Sequence, residues 1–283
     1  MSEHAKLGYI GLGNMGAPMA KRLVDWPGGV TVFDVRTEAM TPLAEAGAAL
    51  ADSVADVATA DIISVTVLND EQVRDVVGEL AVNAKPGTVI AVHSTISPGT
   101  AVELAEQLAP QGIHVVDAPV SGGGGAAEKG KLAIMVGASD EAFALIKEPF
   151  KQFASLVIHA GGPGAGTRMK IARNMLTFVS YAAACDAQKL AEAAGVNLQD
   201  LGNVVRHTDA LTGGAGAIMF RDDTKPLTPE HFLYQPFLHT RGLGEKDLSL
   251  ALALGEATDV DLPLAEVALK NLAAGLGVPH TKD

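Results

Sequence analysis

From residue 7 to about residue 159, short apolar runs rich in β-branched residues alternate with stretches of helical periodicity, the order that parallel βαβ units require. The runs at 7–10, 30–33, 62–68, 88–92, 113–116, 132–136 and 156–158 are apolar at nearly every position. Continuous rather than alternating hydrophobicity predicts strands buried on both faces, hence a doubly wound parallel sheet covered by helices on each side. The pattern changes at Gly161-Gly162-Pro163-Gly164-Ala165-Gly166, a joint rich in helix breakers. Residues 167–194 then contain neither glycine nor proline, and 28 residues at ~1.5 Å rise predict a helix of roughly 42 Å. Beyond it the reading is helical throughout, punctuated by Gly195, Gly213-Gly214, Pro226, Pro229 and Gly255. The expected class is α/β: residues 1–162 form the sheet domain, residues 163–283 an all-α domain, and the long helix joins them. A helix of that length exceeds the width of one small bundle, so a homodimer or homotetramer assembled through the helical domain is expected.

The first strand runs straight into Gly11-Leu12-Gly13-Asn14-Met15-Gly16, and the helix-forming segment 17–24 follows. In that context Gly11 permits the tight turn and Gly13 lets the backbone approach a pyrophosphate. Gly16 lets the helix pack on the strand while its N-terminus faces the anion. Asp34 closes the second strand, 18 residues after Gly16, where it is placed to accept hydrogen bonds from an adenosine ribose. These features predict a Rossmann domain whose cofactor contacts include Gly11, Leu12, Gly13, Asn14, Met15, Gly16 and Asp34. A carboxylate at Asp34 would repel a 2′-phosphate and so favours NAD, while Arg36, two residues on, keeps NADP possible.

Composition narrows the alternatives. Of 283 residues, 21 are Lys or Arg and 33 are Asp or Glu, a net charge of −12 that argues against nucleic-acid binding. No apolar run approaches the ~18 residues of a membrane span; the longest candidate, 175–185, carries Thr177, Ser180 and Tyr181. No basic segment precedes a long apolar stretch near residue 1, and a cytoplasmic protein is expected. The one cysteine, Cys185, lies among alanines on the long helix and is expected to be a small buried packing group. The eight histidines never pair at i+3 or i+4, so no metal site is expected.

Two further segments carry candidate chemistry. Ser121-Gly122-Gly123-Gly124-Gly125 follows the strand at 113–116 and the turn Asp117-Ala118-Pro119, which would place it at the carboxyl edge of the sheet. Backbone N–H groups free of side chains, with the Ser121 hydroxyl, make a carboxylate cradle; a flexible surface loop is the plainer reading. Lys170 lies four residues after Gly166, near the start of the long helix, with Asn174 one turn on along the same face. The helix dipole, an oxidised nicotinamide nearby and desolvation would each lower a lysine pKa there from ~10.4 towards general acid or base duty. Read locally, Lys170 is a solvated lysine at an exposed helix start, and its surroundings reverse that reading.

Those surroundings resemble the β-hydroxyacid dehydrogenases, the family of 3-hydroxyisobutyrate dehydrogenase and tartronate semialdehyde reductase. The resemblance rests on residues 9–20, on Ser94-Thr95-Ile96, on Asp117-Ala118-Pro119-Val120-Ser121-Gly122-Gly123, on Gly130, Leu132 and Met135-Val136-Gly137, and on the joint 161–166 with Lys170 and Asn174. It extends to Lys246-Asp247-Leu248 and so covers most of the chain. It implies a Rossmann domain of the 6-phosphogluconate dehydrogenase kind with a helical domain, and NAD(P) meeting a small carboxylate-bearing β-hydroxyacid in a cleft. Lys170 would be the catalytic acid/base. Ser121, Gly122 and Gly123 would hold the substrate carboxylate, Asn174 would fix the substrate, and Thr95 and Lys246 would lie by the nicotinamide. The chain departs from the family at Arg173, where a first of two asparagines is usual, at Ala126 and at Val92. It also departs between Arg206 and Phe220, where Arg206-His207 stand near the expected place of a serine pair and a bulky aromatic. Two other functions share the architecture: an imine reductase, which usually lacks a lysine at this position, and a non-catalytic dinucleotide-binding interaction module.

Overall fold

The computed structural model describes residues 4–280, and the chain divides into two compact units between Met175 and Leu176. Among the described residues of the first unit, nine strands form one sheet: β1 (Leu7–Ile10), β2 (Val30–Phe33), β3 (Ala49–Leu50), β4 (Ile62–Val65), β5 (Val89–Val92), β6 (His114–Asp117), β7 (Val120–Ser121), β8 (Leu132–Gly137) and β9 (Ala154–Gly161). Their order is β3-β2-β1-β4-β5-β6-β8-β7, and β9 also pairs with β8. From β3 to β6 every pairing is parallel; β8 runs antiparallel to β6 and β7 and parallel to β9. The winding direction reverses at β1, where Leu7 is level with both Val30 and Ile62. The carboxyl ends of β1, β2 and β4 therefore finish together at Ile10, Phe33 and Val65, and a crevice opens there.

Strands β1, β4 and β5 are buried at every position, as their unbroken hydrophobicity requires. Alternate residues supply two apolar clusters, one for each face of the sheet: Ile62 belongs with Tyr9, Met19, Phe150 and Phe153, and its neighbour Ile63 with Val77, Leu80, Ile90 and Leu104. The covering helices are α1 (Gly16–Lys21), α2 (Thr37–Glu45), α3 (Val54–Val57), α4 (Asp70–Asn83), α5 (Pro98–Leu108), α6 (Gly123–Glu128) and α7 (Asp140–Phe150). Ser53, Asn69, Ser97 and Ser139 accept first-turn N–H groups and so start α3, α4, α5 and α7.

Three local outcomes differ from the sequence reading. The run at 62–68 stops being a strand after Val65, because beyond the last ladder bond, from the Thr66 N–H to the Ile10 carbonyl, the Ser94 hydroxyl grips both the N–H and the carbonyl of Val67. The glycine run at 122–125 is not a plain loop: it enters α6, because Gly122 turns the chain at φ 133° and Ala126-Ala127-Glu128 continue as helix, with Ala127 buried. The two-residue strands β3 and β7 are too short for hydrophobic periodicity to register.

A long helix, α8 (Ala165–Ala193), begins in the first unit and its later turns belong to the second. The second unit continues with α9 (Leu198–Thr212), α10 (Tyr234–Ala257) and α11 (Pro263–Leu276), and no strand occurs among its described residues. Helices α10 and α11 enclose a small core of Leu233, Phe237, Leu276 and Val278. Glycine at 244 makes the close approach possible, since a Cβ there would lie 2.5 Å from Leu272 Cδ2. The expected burial of Cys185 is not observed: it is exposed, as are Phe178, Val179 and Tyr181 on the same stretch of α8, because no side chain of the chain's own helical unit is packed over that surface.

A histidine lies inside the sheet core. His93, which follows β5, is 3 % exposed and stacks between Tyr9 and the Phe150–Phe153 pair. Its Nδ1 lies 2.8 Å from the Ala118 carbonyl, which needs a donor, so Nε2 accepts from the Ser64 hydroxyl at 3.0 Å and the ring is neutral. Burial outweighs the carbonyl contact and pulls its pKa down to about 4. An unfolded chain takes up this proton below ~6.5, the folded one only near the lowered value, so the stability His93 contributes is complete above ~6.5 and is lost as pH falls from there. Urea unfolding between pH 7 and 4.5 is expected to lose about 1.4 kcal/mol per pH unit more in the native chain than in His93→Gln. Parallel pH slopes for the two proteins would show that His93 titrates normally.

Candidate active site

The glycine loop is built for an anion on its open side. A Cβ on Gly11, whose φ is 90°, would lie 2.1 Å from the Thr66 carbonyl oxygen, and one on Gly16 would lie 1.9 Å from the Gly11 oxygen. Both glycines are required by packing. A Cβ on Gly13 would meet nothing within 4 Å, so a side chain there would project into the space that the loop borders. Helix α1 begins from Met15 with no side-chain cap, unlike α3, α4, α5 and α7; the Ala17 N–H turns to the Gly13 carbonyl and Pro18 has none, so no side chain stands between the loop backbone and a ligand. These features fit a dinucleotide diphosphate.

A cavity of about 630 Å³ extends from this loop over the ends of β1, β2 and β4. Its lining includes Gly11, Gly13, Asn14, Asp34, Val35, Arg36, Thr66 and Leu68. Val35 and Leu68 are 88 % and 87 % exposed, two apolar side chains flanking this space. The Asp34 carboxylate is nearly buried: Oδ2 accepts the Leu12 N–H at 2.6 Å, and Oδ1 accepts the Arg36 N–H at 2.9 Å and its Nε–H at 3.2 Å. Burial works against the charge, but these N–H groups and the guanidinium outweigh it and hold the carboxyl below its usual range. Leu12 therefore enters the site through its backbone, which Asp34 pins, while its side chain is in the core.

A second cavity of about 490 Å³ lies on the other side of the same loop. Gly13, Asn14, Met15, Gly16, Thr95, Ser121, Gly122, Gly123 and Lys170 all line it, with Thr66, Ser94, Val120 and Arg173. Ser121 is placed by β7, which pairs with β8 so that Ser121 stands opposite Ala133. Gly122 and Gly123 follow with positive φ, and a Cβ on Gly123 would meet nothing within 4 Å. Lys170, 8 % exposed, donates from Nζ to Ser121 Oγ at 3.1 Å. Burial is the larger cause that lowers its pKa, and the positive charge of Arg173 the smaller.

What holds Lys170 there is a residue that the sequence reading treated as part of a turn. Asp117, at the end of β6 and 2 % exposed, accepts the Gly164 N–H on Oδ1 at 2.7 Å and the Thr167 N–H on Oδ2 at 2.6 Å. It caps the start of α8 from across the sheet. Its sequence signal was its place ahead of Ala118-Pro119, where a short acid ends a buried strand. Thr66 and Val67 were missed because they lie in what reads as strand, and Ser94 entered the sequence reading only within the Ser94-Thr95-Ile96 motif. Asn174 is half-buried one turn beyond Lys170 and is not part of the cavity lining. Lys246 lies on α10 in the helical unit, mostly exposed, paired with Asp247 at 3.1 Å. Among the described residues no group of three or more His, Cys, Asp or Glu could hold a metal, and no helix is long and apolar enough to cross a membrane.

Residues 6–162 match the family model described as the NAD binding domain of 6-phosphogluconate dehydrogenase. Residues 164–279 match the one described as the NAD-binding domain of NADP-dependent 3-hydroxyisobutyrate dehydrogenase. An uncharacterized oxidoreductase of Mycobacterium tuberculosis (strain H37Rv) is 69 % identical over 98 % of this chain and 95 % of that protein. The 3-hydroxyisobutyrate dehydrogenase of Pseudomonas aeruginosa is 34 % identical over 93 % of this chain and 89 % of its own. A crystal structure of an oxidoreductase from Mycobacterium avium 104 is 74 % identical, covers 98 % of this chain and all of its own, and superposes with a TM-score of 0.96. With a Rossmann sheet, a glycine loop fitted to a dinucleotide and both family models in chain order, the chain belongs to the β-hydroxyacid dehydrogenase family, and it is an NAD(P)-dependent hydroxyacid oxidoreductase.

Proposed function

We propose that the chain transfers hydride between NAD and a small carboxylate-bearing β-hydroxyacid of the 3-hydroxyisobutyrate type, with Lys170 as general acid and base and no metal. The observation that carries this reading is the buried Lys170 amine, held 3.1 Å from the Ser121 hydroxyl in a cavity bounded by the glycine loop. A solvated lysine at a helix start would have neither the burial nor the partner. The relative in Pseudomonas aeruginosa that bears the name 3-hydroxyisobutyrate dehydrogenase supports the substrate type. A buried lysine in this cavity has no role in a purely structural dinucleotide module, and it argues against an imine reductase.

In this reading the substrate carboxylate rests on Ser121 and on the backbone of Gly122 and Gly123, while Asn174 helps to fix the substrate. The nicotinamide cofactor, when bound, accepts hydride from the hydroxyl-bearing carbon. Lys170 in its neutral form takes the hydroxyl proton on Nζ, and as an ammonium it returns that proton in the reverse reaction. Burial makes the neutral amine available at lower pH than in solvent. Oxidation therefore rises as pH climbs through the lowered Lys170 pKa, and reduction falls over the same range. Gly11, Gly13, Asn14, Met15 and Gly16 cradle the diphosphate, with Thr95 and Lys246 assigned to the nicotinamide end. Asp34 stays at the rim of the adenosine cavity and clamps Arg36, which supports NAD over NADP.

The working form is a homodimer or homotetramer, a reading supported by Phe178, Val179 and Tyr181, which are 63 %, 54 % and 62 % exposed along α8. We assign the activity to the cytoplasm, where a soluble coenzyme pool is at hand.

Lys170→Ala is expected to cut turnover with 3-hydroxyisobutyrate roughly a hundredfold to ten-thousandfold and to leave NAD affinity, read by protein fluorescence, unchanged. Turnover within a few-fold of the native protein would refute the lysine mechanism. Comparison of kcat/KM for the two coenzymes should favour NAD about tenfold or more, and Asp34→Asn should erode that preference; a native preference for NADP would reverse the assignment. Light scattering of the purified 29.0 kDa chain should give two or four times its mass, and a monodisperse monomer would contradict the assembly.

A further inference from the structure

We infer that the substrate carries a second anionic group, bound by Arg173, so that the preferred substrate is a dicarboxylic β-hydroxyacid rather than a monocarboxylic one. The inference rests on the dehydrogenase reading above and refines its substrate class. Arg173 and Lys170 lie three residues apart on α8 and line the same 490 Å³ cavity as the Ser121-Gly122-Gly123 loop. No aspartate or glutamate is among the lining residues, although the chain has 33 acidic residues against 21 basic ones. The cavity is a local reversal of the protein's charge.

The three charge-binding features of this cavity have different duties. The backbone of the glycine pair with the Ser121 hydroxyl is suited to a single carboxylate. Lys170 must shed its charge to accept a proton, so it cannot serve as a fixed counter-ion during oxidation. Arg173 stays charged at every working pH and presents a planar fork that matches a carboxylate. Residues at i and i+3 of a helix lie about 5–6 Å apart at Cβ. With the two side chains rooted that close, a second carboxylate on a short arm of the carbon that bears the first carboxylate and the hydroxymethyl group can meet Arg173 while the hydroxyl meets Lys170. A guanidinium beside the catalytic amine also disfavours the lysine's protonated form, a repulsion that a second substrate carboxylate offsets.

The test compares three acids that share one hydroxymethyl-carboxylate head: 3-hydroxyisobutyrate, 2-(hydroxymethyl)butanoate and 2-(hydroxymethyl)succinate. The second adds bulk without charge, and the third adds the second carboxylate. NAD reduction is followed for the native chain, Arg173→Asn and Arg173→Lys. The native chain is expected to prefer the diacid by about tenfold or more in kcat/KM, chiefly through KM. Arg173→Asn should abolish that preference, because its effect through the Lys170 pKa falls on all three acids alike while the loss of the guanidinium falls on the diacid alone, and Arg173→Lys should restore part of the preference. A native chain that uses the monoacids as well as the diacid, with Arg173→Asn changing nothing, overturns the inference and leaves the dehydrogenase reading intact. A rise in KM for NAD that is equal across all three acids in Arg173→Asn also overturns it, because Arg173 would then serve the coenzyme. Oxidation of none of the acids overturns both readings together.

Discussion

The arrangement at the site depends on one buried carboxylate. Asp117 gives up solvent at the end of β6, and burying that charge is costly unless N–H groups replace the lost water. The replacements are the Gly164 and Thr167 N–H groups at the start of α8, which a helix leaves without partners of its own. The carboxylate and the helix end each need the other, and the bond sets where α8 begins relative to the sheet. The approach is so close that a Cβ on Gly166 would lie 2.1 Å from the Met135 oxygen, and one on Gly137 would lie 2.2 Å from Asp117 Oδ1. Once the first turn of α8 is held on β6 and β8, Lys170 comes down over β7, where Ser121 waits.

The same device recurs beside the glycine loop. Asp34 ends β2 as Asp117 ends β6, and it too spends its oxygens on backbone N–H groups, those of Leu12 and Arg36. The first bond holds the glycine loop down on the sheet, and the second sets the chain beyond β2 at the rim of the 630 Å³ cavity. Two acids at strand ends thus fix the glycine loop and the start of α8 through backbone N–H groups, with the Arg36 guanidinium added at Asp34. The glycine loop lines both cavities, so a group bound on one side of it is held in register with a group bound on the other.

Charge is distributed to match. The chain carries a net charge of −12, yet the lining around Lys170 contains cations and backbone donors and no carboxylate. His93 keeps the sheet beneath that lining uncharged: it is a neutral ring that joins Ser64 to Ala118 through two directional bonds. The small core of the helical unit contrasts with the two extended clusters of the sheet, and the apolar surface along α8 is the counterpart of that shortage.

Local sequence carried the strands at 7–10 and 30–33, the glycine loop and the start of the helical region, because each rests on short-range physics: burial on both faces, backbone access at glycine, and the absence of helix breakers over a long span. It also pointed to Ser121, Gly122, Gly123 and Lys170, though from the lysine's own neighbourhood the reading was a solvated side chain. The contact between Lys170 and Ser121 spans 49 residues, and the cap from Asp117 to Thr167 spans 50. No periodicity reports a bond of that separation, since it exists only after β6, β7 and β8 have paired. The exposure of Cys185 was misjudged for a related reason: a hydrophobic stretch states that it should be covered and leaves open what covers it. Composition and spacing thus settle which backbone segments form, and the folded chain settles which side chains meet, because desolvation and long-range hydrogen bonding act on neighbours in space rather than along the sequence.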